Sequence, residues 1–245
     1  MTHELYRAQD QLLDKIFTHL DTLKIPECIL AGGTALARLY LHHRISYDLD
    51  FFIGNVFSPD QLAVRLGRIG VSMQGIELET GQKYVRQLHG YVNVAGVNVK
   101  ISFIEDVYNE MWPKKTFGNV VTEEIGGLYH RKLRAISGNG YGRNTQGARQ
   151  TARDLFDAYV LDSQIQPIFD FVQESNRNGA NFPQESLSSN FLQMPWFDLI
   201  DEFENLALLS PYQQLSLIGD VKPSMIAQAS MLQKLTEQDY PQPKG

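Results

Sequence analysis

The chain of 245 residues has one cysteine, Cys28, and nowhere a run of about 18 uninterrupted apolar residues. A single thiol closes no internal disulfide, and Cys28 lies in the short apolar stretch ECILAG, where it reads as a buried strand residue without redox chemistry. The missing apolar run speaks against a membrane-spanning helix. The start MTHELYRAQDQLLDKI has neither a basic leader nor a continuous apolar segment, so a cytoplasmic location and no membrane partner are expected. Positive charge is also scarce. Lysine and arginine number 22 against 28 acidic residues, a net charge of -6, which argues against a broad polyanion-binding surface but leaves room for a local basic patch that meets RNA. No pair of histidines or cysteines has metal-ligand spacing, so a zinc site is not expected. There is no internal repeat. The hydrophobic content of 43% suffices for a substantial core in one large domain or two small ones.

The informative segment is Gly32 to Ile53, GGTALARLYLHHRISYDLDFFI. A glycine pair opens a helix expected over 34 to 42, with Thr34 as its cap, and Asp48-Leu49-Asp50 then enters an apolar strand expected over 48 to 53. Side chains two apart in a strand share a face at about 6.6 Å along the chain, so Asp48 and Asp50 project side by side. Two such carboxylates repel unless a cation lies between them. Hard oxygen ligands suit Mg²⁺, which takes one or two carboxylates together with water and substrate phosphates. Backbone N–H groups at the Gly32-Gly33 turn supply the phosphate contacts. The segment therefore describes a site for a metal-bound nucleoside triphosphate (NTP).

Other uses of an Asp-x-Asp pair fit poorly. A dehalogenase-type phosphatase carries its nucleophilic aspartate after the apolar strand, whereas Asp48 and Asp50 precede Phe51-Phe52-Ile53. A calcium loop of the EF-hand type needs oxygen ligands at alternate positions and a glycine at its sixth, where this chain has Ile53.

Elsewhere, residues 4 to 24 carry apolar residues at helical spacing and read as one amphipathic helix. Further strands are expected over 27 to 31, 71 to 79, 83 to 94 and 97 to 104, with turns at Thr80-Gly81-Gln82 and Ala95-Gly96, and a helix from Ser58-Pro59-Asp60 to about Ile69. From Thr122 the pattern is helical, over 123 to 136, 148 to 162, 164 to 176 and several segments between 185 and 238. Ser137 to Gly142 reads as a loop, either a connector or a mobile element, and Asp239 to Gly245 as a disordered tail. The expected organisation is an α/β domain over 1–121, a helical domain over 122–238 and the tail 239–245.

The strings GGTAL and HRISYDLDFF closely resemble the AbiEii/AbiGii toxin family of bacterial nucleotidyltransferases, within the DNA polymerase beta-like superfamily. The resemblance is specific over residues 27 to 54 and weaker from 80 to 160. It implies an α+β fold, a nucleotidyltransferase-like mixed sheet flanked by helices, with the C-terminal helical domain completing a cleft. It also implies transfer of a nucleoside monophosphate from an NTP to an acceptor such as tRNA or a protein side chain. One or two Mg²⁺ ions and a cognate antitoxin belong to the same implication.

Carried onto this chain, the resemblance makes Asp48 and Asp50 the metal ligands and Gly32, Gly33 and Thr34 the triphosphate turn. Arg44 and Ser46 match the family string HRxSxDLD as loop-shaping, nucleotide-binding groups. The family's third carboxylate lies in a strand reading roughly Val-Lys-x-Asp, and here the strand reads Val99-Lys100-Ile101-Ser102. Serine therefore stands in the carboxylate's place, and Glu105 has the opposite parity, so only a bulge or a strand end would let it substitute. Lys100 and Lys132 would neutralise phosphate charge. Arg153-Asp154-Leu155-Phe156-Asp157 matches the family's Arg-Asp-x-x-Asp, with Asp154 and Asp157 free to orient a base, a ribose or Lys132. A degenerate member that binds nucleotide or a protein partner without transfer is the alternative that Ser102 leaves open.

Overall fold

Seven strands form one mixed sheet: β1 (Cys28–Ala31), β2 (Leu49–Ile53), β3 (Met73–Glu79), β4 (Gln87–Val94), β5 (Val97–Glu105), β6 (Lys114–Phe117) and β7 (Val120–Glu123). Their order is β3-β4-β5-β2-β1-β7-β6. The β2–β5 and β1–β7 pairs are parallel and the other neighbours antiparallel. The computed structural model describes residues 2–81, 85–108, 110–138 and 148–239, and side chains as far as 234. Gln82 in the first expected turn, residues 139–142 of the expected loop and residues 240–245 of the tail lie outside the described residues. Contacts divide the chain into two compact units, Met1–Leu128 and Tyr129–Gly245.

In the first unit β1 is buried at every position, as a central strand with both faces covered requires. Strand β2 alternates, with Leu49, Phe51 and Ile53 buried and Asp50 and Phe52 partly exposed. On the buried face Phe51 stacks on Phe103 at 4.9 Å and meets Phe17 of helix α1 (Thr2–Thr18) at 6.0 Å. The apolar stripe of α1 is thus a core stripe. The turn Ala95-Gly96 has φ of 50° and 89°, the two positive values that a tight hairpin needs, and it sets Val94 opposite Val97.

Some elements differ from the expectations. The first helix ends at Thr18 and a separate α2 follows (Leu20–Leu23). The His19 ring donates to the Lys15 carbonyl at 2.8 Å while the His19 backbone N–H turns to Ile16, so the regular ladder stops there. The helix after β1 starts at Gly32, as α3 (Gly32–Ala35), and continues in a π-helical stretch (Leu36–Leu41) that ends at His42 with φ of 49°. Its N-cap is Ala31, not Thr34, because the Thr34 hydroxyl is taken up by the loop described below. The hairpin β6–β7 was not expected. Lys114-Lys115-Thr116-Phe117 is short and polar and carries no alternation, and the hairpin joins the sheet through the pairing of Leu30 with Thr122. Helix α4 (Pro59–Arg68) has proline in its first turn, as expected.

Helix α5 (Ile125–Ser137) leads into the second unit, which contains α6 (Ala152–Gln164), α7 (Ile168–Arg177), α8 (Gln184–Leu192), α9 (Ile200–Glu204) and α10 (Lys222–Asp239). Its core includes Leu133, Phe156, Phe191 and Leu232, and Tyr129 stacks on Phe171 at 4.2 Å. Among the described residues no helix is long and apolar enough to cross a membrane.

Candidate active site

Strand β1 hands the chain directly to the glycine turn, and Ala31 pairs with Asp50 in the ladder. Gly32 has φ of +68°, and a Cβ on it would fall 2.5 Å from Asp50 Oδ2. The turn thus needs glycine for its backbone conformation and again for the carboxylate lying against it. Asp48 immediately precedes β2. Exposure runs partly exposed, buried, partly exposed, buried over Asp48, Leu49, Asp50 and Phe51, so both carboxylates lie on the side away from the core.

The segment 42–48 is fastened from three directions. A Cβ on Gly33 would fall 2.5 Å from Arg44 Nη2, so the buried Arg44 guanidinium lies over that glycine, and its Nη1 donates to the Ile45 carbonyl at 3.1 Å. The Thr34 and Ser46 hydroxyls hydrogen-bond at 2.8 Å, and Thr34 donates to the Asp48 carbonyl. From α1, Gln9 Nε2 donates to the Ser46 and Tyr47 carbonyls at 2.9 and 3.2 Å, while Gln9 Oε1 accepts from Arg38. Gln9 is fully buried, so these bonds are what makes its place in the apolar face of α1 tolerable. Thr34, Arg44 and Ser46 accordingly position the loop that delivers Asp48.

Across the sheet, Asp50 pairs with Ser102 of β5, and Ser102 pairs with His89 of β4. The β5 register runs without a bulge to the pairing of Ile53 with Glu105, so Glu105 keeps the opposite parity, and its carboxylate instead takes Arg86 at 2.7 Å. Lys100 shares the Ser102 face and makes no hydrogen bond or ion pair among the described residues. No group of three histidine, cysteine, aspartate or glutamate side chains that could hold a metal ion occurs among the described residues.

The model of the family described as nucleotidyl transferase AbiEii toxin, type IV toxin–antitoxin system, matches residues 20–175. The chain belongs to the AbiEii family. No curated protein matches this AbiEii chain. Its fold is similar to that of JHP933 from Helicobacter pylori, at 19% identity and a TM-score of 0.54 over 97% of this chain and 95% of that one. A Helicobacter pylori chain proposed to be a nucleotidyltransferase is similar at 18% identity and a TM-score of 0.54, over 98% and 97%. MenT4, a nucleotidyltransferase toxin from Mycobacterium tuberculosis, matches at 14% identity and a TM-score of 0.43, over 98% and 92%.

Lys132 and the residues that match the family's Arg-Asp-x-x-Asp string fall in the second unit. Lys132 on α5 pairs with Asp154 at 2.6 Å and Asp157 at 2.8 Å, all three being buried. Burial pushes the Asp154 carboxyl up, but Lys132 and then Arg149 outweigh it and hold it below the usual carboxylate range. Thr151 caps α6 through the Asp154 backbone N–H. Arg153, immediately before Asp154 in sequence, is exposed.

Sequence reasoning passed over Gln9 and His89. Gln9 carries a signal, since a lone amide on the Leu5, Leu12, Leu13, Ile16 face of α1 must find partners. His89 carries none until β4 is set against β5.

Proposed function

We propose that this AbiEii chain moves a nucleoside monophosphate from an NTP to a hydroxyl of an RNA, with tRNA among the candidates, or of a protein side chain. It would do so with Mg²⁺ in the bacterial cytoplasm, as a toxin held in check by a cognate antitoxin. The observation that carries the reading is the contact between the Gly32 turn and the Asp50 carboxylate, where a Cβ would meet Oδ2 at 2.5 Å. It puts the backbone donors that phosphates need next to the carboxylates that a cation needs.

The donor set fits one Mg²⁺. Asp48 and Asp50 would hold it, with triphosphate oxygens and water completing the hexacoordinate shell that this ion prefers. When bound, the ion neutralises phosphate charge and polarises the α-phosphate. Around it, the N–H groups of Gly32, Gly33 and Thr34 open a helix and lack partners within it, so they suit triphosphate oxygens. Arg44 and Ser46 hold the turn and loop in register. Lys100 offers its ammonium to the charge that grows on the pyrophosphate as the acceptor oxygen joins the α-phosphorus. Lys132, Arg153, Asp154 and Asp157 enter as nucleotide-contacting groups on the family motif alone.

Incubation with each α-labelled NTP, Mg²⁺ and total bacterial RNA tests the reading. Asp48→Asn and Asp50→Asn should abolish labelling while leaving the melting transition intact; labelling at the wild-type rate in either variant refutes it. One observation favours a second reading, a nucleotide-binding module without turnover: Ser102 occupies the ladder position beside Asp50 where the family expects a carboxylate. Calorimetric heat with NTP and Mg²⁺, but no labelled product, would establish that alternative.

A further inference from the structure

We propose that His89 is the general base of the transfer, taking the proton of the acceptor hydroxyl in place of a third carboxylate. The inference rests on the transferase reading above and adds a residue to that site. Its basis is a row across three strands, in which Asp50, Ser102 and His89 are successive ladder partners and so face the same side of the sheet. Neighbouring strands lie about 4.8 Å apart, which sets Asp50 and His89 roughly 10 Å apart at their Cα atoms. Both side chains are longer than the serine between them. The space above Ser102 is therefore walled by a carboxylate on one side and an imidazole on the other, and the α-phosphate with its incoming oxygen has to fit such a gap.

The imidazole is set up as a base. His89 Nε2 lies 2.8 Å from Gln87 Oε1, two residues along the same strand face, and a carbonyl oxygen there requires Nε2 to carry the proton. The lone pair is then on Nδ1, which has no hydrogen-bond partner among the described residues; nor has the Ser102 hydroxyl, nor the Lys100 ammonium. Three polar groups on one partly buried sheet face thus have their bonding capacity unspent. Charged groups face His89 from both neighbouring strands, Glu77 on β3 and Lys100 on β5, and from β2 beyond β5, where Asp50 lies. Burial and then Lys100 lower its pKa, outweighing Asp50 and Glu77, so the ring is neutral at neutral pH. Gln87 fixes the ring's orientation in the way that a hydrogen bond to the far nitrogen orients a base elsewhere.

In the step, the acceptor oxygen forms a bond to the α-phosphorus and its proton passes to His89 Nδ1. The bond from the α-phosphorus to the bridging oxygen breaks, and its electron pair leaves with pyrophosphate. Imidazolium then returns the proton to solvent. Glu105, the last residue of β5, is committed to Arg86 and lies on the opposite parity.

The test uses the full chain, each α-labelled NTP, Mg²⁺ and total bacterial RNA and protein, with Asp48→Asn as the control for the transferase reading. His89→Gln should keep the NTP KM and lower kcat by about 10²- to 10⁴-fold. It should also remove the acidic limb of the kcat profile, which in the wild type lies below pH 6.5. Imidazole in the buffer should restore activity to His89→Ala, a rescue that a packing role would not show. Wild-type kcat in His89→Gln, an acidic limb that survives there, or failure of imidazole to rescue a folded His89→Ala overturns the assignment. If Asp48→Asn is dead while His89→Gln is fully active, the transferase reading stands and the base lies elsewhere. If the wild type labels nothing with any NTP, the transferase reading itself falls.

Discussion

Asp50 and Ser102 are direct partners in the parallel β2–β5 ladder, and Ser102 is buried at 3% exposure. An acid and a neutral hydroxyl thus sit side by side at a place where two acids would share their charge with a cation. On the proposed transferase reading, this pairing leaves Asp48 and Asp50 to a single ion and leaves the role of proton acceptor to another strand.

Ser102→Asp turns that relationship into a measurement. Two carboxylates side by side without a cation raise one another's pKa and destabilise the folded state. The variant should melt below the wild type in a chelator and recover most of the difference in Mg²⁺ or Mn²⁺, whereas the wild type should shift less with either ion. Thermal melts with and without divalent cation read the effect directly. Equal metal shifts in the two proteins would show that position 102 does not face the ion.

Gly32→Ala should be costly for two separate reasons. A left-handed conformation costs a non-glycine residue roughly 1–2 kcal/mol. The new Cβ would also fall 2.5 Å from Asp50 Oδ2, so the carboxylate must move. Gly33→Ala should be milder, because the atoms nearest its Cβ are side-chain ends, Arg44 Nη2 at 2.5 Å and Ser46 Oγ at 3.3 Å, and no positive φ is involved. Chemical denaturation orders the two variants, and calorimetry with NTP and Mg²⁺ should show binding lost in Gly32→Ala.

How much of this was visible in the chain follows from the range over which each contact acts. Gly32-Gly33 and Asp48-x-Asp50 are local patterns, and strand parity alone placed Ser102 with Lys100 and against Glu105, as the register has it. The row to His89 depends on setting one strand against another. The Ala95-Gly96 turn puts Val94 opposite Val97, and counting back along the ladder brings His89 opposite Ser102, so the turn held the information without marking the residue. The Thr34 cap failed because a hydroxyl within reach of the Ser46 loop is worth more there than at a helix start that already has glycine. Strand β6 was illegible because Lys114-Lys115-Thr116-Phe117 buries almost nothing and borrows its order from β7.

Lys132→Met should destabilise the second unit by about 3–5 kcal/mol, the usual consequence of leaving buried charges without their partner. Asp154 and Asp157 are exposed by 1% and 0%, and Lys132 lies 2.6 and 2.8 Å from them. Adding Asp154→Asn should return part of the loss, since it removes one of the two buried carboxylates that the Lys132 ammonium neutralised. The sign with pH is fixed by the lowered Asp154 pKa: its stabilisation is present above the unfolded value of 3.8 and is lost as pH falls through the folded value below it. Acid denaturation of Lys132→Met should begin at higher pH than that of the wild type.

His130 gives the protein a second pH dependence, in a different window. Burial, then Arg134 and Arg131, push its pKa from 6.5 to about 3. The ring packs edge-on against Phe182 at 5.4 Å and accepts from Arg134 Nε at 3.4 Å, both of which suit the neutral form. Between pH 6.5 and about 3 the unfolded chain therefore binds a proton at this histidine that the folded chain does not. Its stabilisation is present above 6.5 and is lost as pH falls toward 3, with a slope of about 1.4 kcal/mol per pH unit once the unfolded histidine is protonated. Urea melts at pH 6.5, 5.5 and 4.5, followed through Trp196 in the same unit, should show that slope. His130→Phe should be less stable at pH 7 for want of the Arg134 bond, yet flatter across the window. A slope unchanged by the substitution would assign the acid sensitivity to another group.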